Sequence, residues 1–447
     1  MTRVRIFAAL TASVALLLSS IPLAAQAAPA PTDPAAGNVE VRIQYRDADY
    51  VPGTEVDVTF WRLDDADGRY VLSDDVEWTS TGLTWVSSDL EPGSYAVRFV
   101  ADAAAIGLEW WDDARFFEDS RDITVSEGQT TTLGIVTLDE RTIETQRIAG
   151  ANRFATAAAI SQKAAPDGAS VVYLTNGMTY PDALAAGPAA FTGDGVLLLT
   201  RPHGLPPETA TELKRLAPDR VVIVGGTGAV SSGVAQRVQN LLPKAQVARI
   251  GGANRYETGE RIVRDGFRRG ADVAIIATGR NYPDALAAGP AAGMLGAPVI
   301  LVDGAAKSVP ASTMKLLSDL EVQSVIVVGG TGAVSTGVER SLAKAGYTGD
   351  DFWRVAGASR YETAAILNAG VFETSDRSYL ANGMNFPDAL AGGPLAARYG
   401  APMFLSPAAC LGWEAASGIS ANHSNEAVLL GGTGVLSARV ENGDVCF

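Results

Sequence analysis

The chain has 447 residues, too many for one ordinary domain and about right for three or four. Hydrophobic residues make up 47% of it, enough to bury several cores, which excludes a disordered or low-complexity chain. The formal net charge is −15, and two histidines are too few for a His-rich metal site. No metal, cofactor or nucleic-acid partner is predicted.

The N-terminus has the pattern of a secretory signal peptide, predicted over 1–27. Two arginines precede an apolar run over 6–23, and the tripeptide AQA at 25–27 offers a small-x-small cleavage site. An uncleaved membrane anchor is the alternative, but the small and Pro-rich segment 28–37 is typical of a linker that follows a cleavage site. We expect a secreted protein with no transmembrane span in its mature form.

The segment 38–143 is predicted to be an all-β sandwich. Apolar and polar residues alternate over 39–45, 55–60 and 94–100, and glycine-containing turns separate these runs. The motif LEPGSY, which leads into the last run, resembles prealbumin-like sandwich modules of surface proteins and carboxypeptidase regulatory domains. This segment holds 23 acidic residues against 8 arginines, whereas 144–447 holds 26 acidic and 25 basic residues. The acidity of the chain therefore belongs to its N-terminal domain.

The rest of the chain contains three copies of one sequence repeat, whose starts lie 102 and then 105 residues apart. Each unit has an arginine phrase such as RIAGANRF, then a Pro-Asp phrase such as YPDALAAGP, then a glycine phrase such as VGGTGAVS. These repeats predict three modules, over 147–248, 249–353 and 354–447. The phrases begin at Arg147, Arg249 and Arg354, at Tyr180, Tyr282 and Phe386, and at Val224, Val328 and Leu430.

Within each unit apolar strands alternate with helices, which predicts a three-layer α/β module with a parallel sheet covered on both faces. Ser231 is expected to cap the last helix of the first unit. In that unit we predict helices over 152–164, 182–190, 206–216 and 230–242, and strands over 170–174, 196–199 and 220–224.

The third unit is predicted to be a shortened variant. Residues 411–424 show no clear match to the helix at 206–216, and the last helix is cut short. Cys410 follows the second strand of this unit, and Cys446 is placed in the shortened helix. In an exported chain such an isolated pair predicts a disulfide, which typically contributes about 2–4 kcal/mol.

Each unit carries two arginines six residues apart, whose planar guanidinium groups suit carboxylate or phosphate. A repeated pair predicts contact with an anionic polymer. The alternative is an internal ion pair with Asp182, Asp284 or Asp388, each of which follows a proline where the helix dipole favours an acid. The candidate polymer-binding residues are Arg147, Arg153, Arg249, Arg255, Arg354 and Arg360.

The glycine phrase follows a strand and opens a helix, a context in which backbone N–H groups can cradle an anion. The alternative is a tight turn that packing alone requires. The glycines concerned are Gly225, Gly226, Gly228, Gly329, Gly330, Gly332, Gly431, Gly432 and Gly434.

Together the three phrases resemble the cell-wall-binding repeat family of Gram-positive surface proteins. The resemblance implies toprim-like modules in a pseudo-threefold arrangement, non-covalent binding to an anionic, teichoic-acid-like wall polymer, and no enzymatic activity in the modules. It also links an apolar strand ending in Thr or Ser to polymer binding, although the sequence pattern itself predicts buried strands. The matching triplets are Leu197-Leu198-Leu199, Val299-Ile300-Leu301 and Met403-Phe404-Leu405, followed by Thr200, Val302 and Ser406.

We predict a secreted surface protein that three modules hold to the cell wall, with the acidic β-sandwich displayed for adhesion, spacing or sensing. No catalytic residue is predicted, because no second carboxylate recurs in all three units and no nucleophile elbow, Walker loop or zinc-protease signature occurs. Two alternatives stay open: a self-assembling structural surface protein, and a wall hydrolase or accessory factor active in the N-terminal domain. The partner of that domain is left open by the sequence.

Overall fold

Residues 143–446 are described without a break in a computed structural model of the chain. Before them the described segments are 36–45, 57–64, 69–72, 76, 78–81, 84–87, 90–100, 108–110 and 121–138. The predicted signal peptide and residues 28–35 of the linker lie outside the described residues. The chain divides into two compact units, Met1–Thr142 and Ile143–Phe447.

The described part of the N-terminal unit contains nine strands in two sheets. They are β1 (Asn38–Tyr45), β2 (Asp57–Asp64), β3 (Arg69–Leu72), β4 (Trp78–Thr81), β5 (Thr84–Ser87), β6 (Gly93–Val100), β7 (Leu108–Trp110), β8 (Ile123–Val125) and β9 (Thr130–Leu138). One sheet has the order β4-β5-β1-β9, and the other has β3-β2-β6-β7 with β8 beside β6. One apolar cluster, which includes Val41, Phe60 and Phe99, draws side chains from both sheets. The three predicted strands are confirmed as β1, β2 and β6.

The second unit, called the array below, begins with the elements of the first repeat. They are β10 (Glu144–Ile148), α1 (Arg153–Ala164), β11 (Val171–Asn176), α2 (Ala186–Thr192), β12 (Val196–Thr200), α3 (Pro207–Leu216), β13 (Arg220–Val224) and α4 (Ser232–Leu241). Asn152 caps α1, and the Ser231 side chain accepts from the Val234 backbone N–H at the start of α4, as predicted. Helix α2 starts later than predicted, because residues 181–185 form turns.

The second and third repeats continue the alternation. The second has β14 (Gln246–Ile250), α5 (Arg255–Gly266), β15 (Val273–Thr278), α6 (Pro283–Met294), β16 (Val299–Val302), α7 (Ala311–Asp319), β17 (Ser324–Val328) and α8 (Thr336–Lys344). The third has β18 (Phe352–Val355), α9 (Arg360–Val371), β19 (Arg377–Asn382), α10 (Pro387–Arg398), β20 (Met403–Ser406), β21 (Leu411–Gly412), α11 (Trp413–Ala421), β22 (Glu426–Leu430), α12 (Ala438–Glu441) and β23 (Val445–Cys446).

Two expectations for the third repeat were wrong. The helix thought to be missing is present as α11, which lacks the Pro-Pro start of α3 but buries Ala415, Ala416 and Ile419. Cys446 does not lie in the last helix, which ends at Glu441, but in β23, which pairs with β21. The third repeat is therefore a complete module whose last helix is short.

Each of the three four-stranded sheets of the array takes its fourth strand from the next arginine phrase. The sheet orders are β12-β11-β13-β14, β16-β15-β17-β18 and β20-β19-β22-β10, and all neighbours run parallel. The third sheet thus receives β10, the first strand of the array, which pairs with β22 from Glu144↔Glu426 to Ile148↔Leu430. The two ends of the array are joined by backbone hydrogen bonds.

The helices of the Pro-Asp phrases, α2, α6 and α10, pack against one another across the three repeats. Their small residues allow close approach: the Cα of Gly393 lies 3.8 Å from the position that a Cβ on Gly289 would take. A Cβ on Gly293 would overlap that of Ala397. The alanine- and glycine-rich phrase therefore serves helix packing between repeats. Among the described residues no helix is long and apolar enough to cross a membrane.

Candidate functional site

The loops of all three phrases lie at the carboxyl ends of the parallel strands. The loop 177–180 follows β11, and the glycine turn 225–228 follows β13; the other repeats place theirs in the same way. In open parallel α/β sheets, ligands bind in the crevice outside these strand ends. The three equivalent edges are therefore the candidate site of the array.

The first arginine of each pair holds a glycine turn. It extends from the fourth strand of each sheet, and its Nη1 donates to the carbonyl oxygen of the first glycine in the neighbouring turn. Because these arginines are already engaged with backbone, they fix the shape of the turn. The pairs are Arg147–Gly431 at 2.8 Å, Arg249–Gly225 at 2.8 Å and Arg354–Gly329 at 2.7 Å.

Two of these arginines also form an ion pair with a glutamate, at 3.0 Å for Arg147–Glu441 and 2.8 Å for Arg354–Glu339. Each glutamate stands ten residues after the first glycine of the turn, where the first repeat has Ala235. The Nη2 atom of Arg249 is accordingly buried without an acceptor among the described residues, and burial lowers the pKa of Arg249. The first repeat therefore lacks one ion pair that the other two have.

Replacing Ala235→Glu is expected to stabilise the array by about 1 kcal/mol, because the new carboxylate would pair with a guanidinium that is already buried. The thermal unfolding midpoint should rise by about 1.5 °C. Ala235→Gln, which offers an acceptor without charge, is the matched control and should give a smaller rise. Equal midpoints for the two variants would show that no ion pair forms.

The second arginine of each pair orders the loop that follows the next strand of its repeat, which is β11, β15 or β19. Its Nη1 donates to the carbonyl oxygen of the glycine directly after that strand, and the side chain stays half-buried. The pairs are Arg153–Gly177 at 2.7 Å, Arg255–Gly279 at 2.6 Å and Arg360–Gly383 at 2.9 Å.

The aspartates of the Pro-Asp phrase lie against the glycine turns. Burial raises the pKa of Asp388 to about 6 and also raises that of Asp284. The charge of Arg153 offsets part of the rise in the pKa of Asp388, and the charge of Arg360 does the same for Asp284. In both cases an arginine of one repeat faces the aspartate of another. Among the described residues, however, no ion pair joins these aspartates to the arginine pairs. A Cβ on the first turn glycine would lie 2.7 Å from Asp182 Oδ2, 2.6 Å from Asp284 Oδ2 or 2.7 Å from Asp388 Oδ2.

Three rings meet where the three repeats come together. Ring centroids are 5.1 Å apart for Tyr180 and Tyr282, 5.8 Å for Tyr180 and Phe386, and 6.0 Å for Tyr282 and Phe386. The Tyr180 hydroxyl donates to the Arg280 carbonyl at 3.1 Å, and the Tyr282 hydroxyl to that of Met384 at 2.7 Å. These bonds cross from each repeat to the next, so the loops of the candidate site form one connected surface.

Other predicted groups are engaged inside the fold or open to solvent. The nine residues of the apolar triplets are at most 2% exposed, and Thr200, Val302 and Ser406 are also buried, which confirms the prediction of buried strands. The backbone N–H of the first glycine in the turn already donates to the neighbouring strand, as in the 2.7 Å bond from Gly225 to the Ile250 carbonyl. That N–H is therefore not available to an anion. A Cβ on Gly226, Gly228, Gly332, Gly432 or Gly434 would meet nothing within 4 Å, and one on Gly330 would only touch Ala356.

The predicted disulfide is present. Cys410 and Cys446 are bonded, with Cα atoms 5.7 Å apart, and they join the loop after β20 to β23. Over the described ranges, no three His, Cys, Asp or Glu side chains are grouped so that they could hold a metal ion.

The fold and these edges define a class of protein: three tandem α/β modules that present equivalent loops at the carboxyl ends of their sheets. The chain belongs to the Cell wall binding domain 2 (CWB2) family, whose matches cover 147–235, 249–339 and 354–441. Each match begins at the first arginine of a pair and ends in the last helix of the repeat.

Two curated relatives from Bacillus subtilis (strain 168) are similar to most of the chain. N-acetylmuramoyl-L-alanine amidase LytC is 33% identical over 297 residues, which are 66% of this chain and 57% of LytC. A protein named Amidase enhancer is 30% identical over 302 residues, 67% of this chain and 40% of that protein. The chain thus spans about half the length of these relatives.

Two solved structures share the fold. Cwp6 from Clostridium difficile has a TM-score of 0.63 at 23% identity, over 88% of this chain and 63% of Cwp6. Cwp8 from the same organism has a TM-score of 0.61 at 21% identity, over 87% of this chain and 62% of Cwp8.

Proposed function

We propose that the array attaches a secreted surface protein, without a covalent bond, to an anionic, teichoic-acid-like polymer of the cell wall. The observation that carries the proposal is the family match of all three repeats, each on an equivalent module. The relatives support it, since one is named as an amidase of N-acetylmuramoyl-L-alanine and the other as an amidase enhancer. The proposed role of the array is binding, not catalysis.

The charge distribution favours the array as the part that binds. The N-terminal domain, with 23 acidic residues against 8 arginines, would be repelled by an anionic polymer. The array, with 25 basic against 26 acidic residues, can offer local positive sites at little overall cost. We infer that the N-terminal sheets form a β-sandwich, displayed at the cell surface for adhesion, spacing or sensing.

The two arginines of each pair have different roles in this proposal. The first is mostly buried against its glycine turn, so it shapes the site. The second gives Nη1 to one carbonyl and is half-buried, which leaves guanidinium donors for a polymer phosphate or carboxylate. We assign polymer contact to Arg153, Arg255 and Arg360.

Three sites of modest affinity on one connected array bind a polymer more tightly together than singly, because binding at one site raises the effective concentration of polymer at the others. The ring contacts and the pairing of β10 with β22 hold the repeats together, so a polymer that binds one module is presented to the next. We infer that the modules are toprim-like and that their arrangement is pseudo-threefold.

Sedimentation with purified walls tests the proposal. The chain without its predicted signal peptide, 28–447, should sediment with walls, and so should the array alone. The array fragment must begin at Ile143, because a start at Arg147 would cut β10 and leave the edge of β22 unpaired. Walls from which anionic polymers have been extracted by mild acid should retain neither protein.

Two results would contradict the proposal. Failure of both proteins to sediment with intact walls would exclude wall binding by the array. Equal sedimentation with extracted walls would exclude an anionic polymer as the ligand. Light scattering of the chain without walls identifies self-assembly, which also sediments but needs no wall.

A further inference from the structure

A basic cleft in the second repeat is lined by α7, α8 and the loop that joins β16 to α7. Its volume is about 470 Å³, and its lining includes Lys307, Arg340 and Lys344, the hydroxyls of Ser308 and Ser341, and the Met314 side chain. No carboxylate belongs to the described lining. A cleft of this size accommodates a sugar or polyol together with its phosphate.

The charge of the cleft is not neutralised from within the fold. Arg340 and Lys344 are one turn apart on α8, a like-charge spacing that destabilises a helix by a few tenths of a kcal/mol. The nearest acids along the chain are engaged elsewhere, since Glu339 pairs with Arg354 and Asp303 pairs with Arg280. Three exposed cations therefore converge without an internal counter-ion.

The cations are not needed to hold the cleft in shape. The loop 303–310 is fixed by its backbone, as the Val309 N–H donates to Ser341 Oγ at 3.0 Å. The Lys307 backbone also lies within 3 Å of the position that a Cβ on Gly337 would take. Arg340 Nε donates to the Thr336 carbonyl at 3.1 Å, which leaves its Nη atoms and the two lysine ammonium groups for a ligand.

The cleft is particular to the second repeat. The loop between β16 and α7 is two residues longer than its counterpart between β12 and α3, and Lys307 lies in the longer loop. Counting from the glycine turn, Arg340 and Lys344 correspond to Gln236 and Asn240 in the first repeat. In the third repeat the position of Lys344 is taken by Cys446, which belongs to the disulfide.

We propose that this cleft binds a phosphodiester of the wall polymer, with Arg340, Lys307 and Lys344 on the phosphate oxygens and Met314 against the attached sugar or polyol. This inference rests on the proposed function, because it names one subsite and the ligand chemistry of the same array. A planar guanidinium and two ammonium groups supply donors from several directions, which suits a tetrahedral phosphate.

The experiment is a calorimetric titration of the 28–447 chain with soluble poly(glycerol phosphate), and with polygalacturonate as a carboxylate polymer. The triple variant Lys307→Gln/Arg340→Gln/Lys344→Gln is expected to bind poly(glycerol phosphate) at least tenfold more weakly. The matched control, Lys163→Gln/Lys214→Gln/Arg237→Gln, removes the same charge from helices of the first repeat and should change affinity less than twofold.

A second variant guards against loss of folding. Lys344→Glu places an acid one turn from Arg340, which offsets the unfavourable position of an acid in the last turn of α8, so the thermal midpoint should change little while the new carboxylate repels the phosphate of the ligand. Equal poly(glycerol phosphate) affinity for wild type, triple variant and control would overturn the proposal that the cleft binds this polymer. If the triple variant lost affinity only for polygalacturonate, the ligand of the cleft would be a carboxylate and not a phosphate. Wall sedimentation is scored separately, so failure of the proposed function is distinguishable from failure of the cleft.

Discussion

Gly329→Ala is expected to lower the free energy of unfolding of the array by about 3 kcal/mol. Gly329 has a φ of +110°, which L side chains rarely adopt, and such a conformation costs about 1–3 kcal/mol. The added Cβ would lie 2.6 Å from Asp284 Oδ2 and 3.0 Å from the Ala333 Cβ, so overpacking adds a similar cost. The Arg354 bond to the Gly329 carbonyl would also have to shift.

The control for this substitution lies in the same turn. At Gly332 a Cβ would meet nothing within 4 Å, and the backbone is outside the positive-φ region. Gly332→Ala should therefore leave stability unchanged or raise it slightly, because alanine restricts the unfolded chain. Thermal unfolding of both variants measures the contrast, and the Gly329 variant should melt about 5 °C lower. Similar midpoints would show that the glycine turn is not conformationally required.

The secondary structure of the array was largely predictable, because each element depends on local pattern. Buried apolar runs became strands, and the polar residues before α1 and α4 became caps, as Ser231 shows. The disulfide also followed from composition, since a chain with two cysteines has one possible pairing. The order of strands in the sheets was not predictable in the same way. Nothing local in Glu144–Ile148 shows that β10 completes the sheet of the third repeat, where its partner residues lie 282 positions further along the chain.

The site was harder to predict than the fold. Asp182 and Asp284 stand in identical nine-residue phrases, yet α6 begins at Pro283 whereas α2 begins only at Ala186. The residue before the phrase differs: the Asn281 side chain accepts from the Tyr282 N–H, and the first repeat has Thr179 there. A repeat pattern shows which residues recur but not which of them bind each other.

The basic cleft could have been found from the sequence only by looking for residues that differ between the repeats. Lys307 lies in a loop that is two residues longer than its counterpart in the first repeat, and Lys344 stands where the other repeats have Asn240 and Cys446. Comparison of the three repeats for shared residues passes over such positions. Of the residues that recur, the first arginine of each pair and the glycine turn hold the fold together, whereas the charge of the cleft lies where the second repeat differs.

Asp388→Asn is expected to make the array more stable at neutral pH, by about 3 kcal/mol at most. Burial raises the pKa of Asp388 to about 6, above the value of about 3.9 for an unfolded chain. The folded chain therefore binds a proton that the unfolded chain has lost between those pH values, so this group makes stability fall as pH rises from about 4 to 6. Asparagine stays neutral and removes that dependence.

The measurement is the difference in unfolding free energy between wild type and Asp388→Asn, taken from pH 4 to pH 7.5 so that other groups cancel. It should be near zero at pH 4 and reach its full value above pH 6. Asp319→Asn is a control of opposite sign, because hydrogen bonds from Lys315 and Arg264 lower the pKa of Asp319. That variant should lose stability at neutral pH and recover as the pH falls.

If the difference in unfolding free energy between wild type and Asp388→Asn did not change with pH, the Asp388 carboxyl would be solvated in the folded chain. A difference that follows the expected curve would have a consequence for the whole array, because Asp388 belongs to the third repeat and faces Arg153 of the first. Above pH 6 the ionised carboxylate attracts that arginine but is poorly solvated, and the cost of burial exceeds the attraction. The contact between the first and third repeats, which β10 also bridges, should therefore be most stable in mildly acidic conditions.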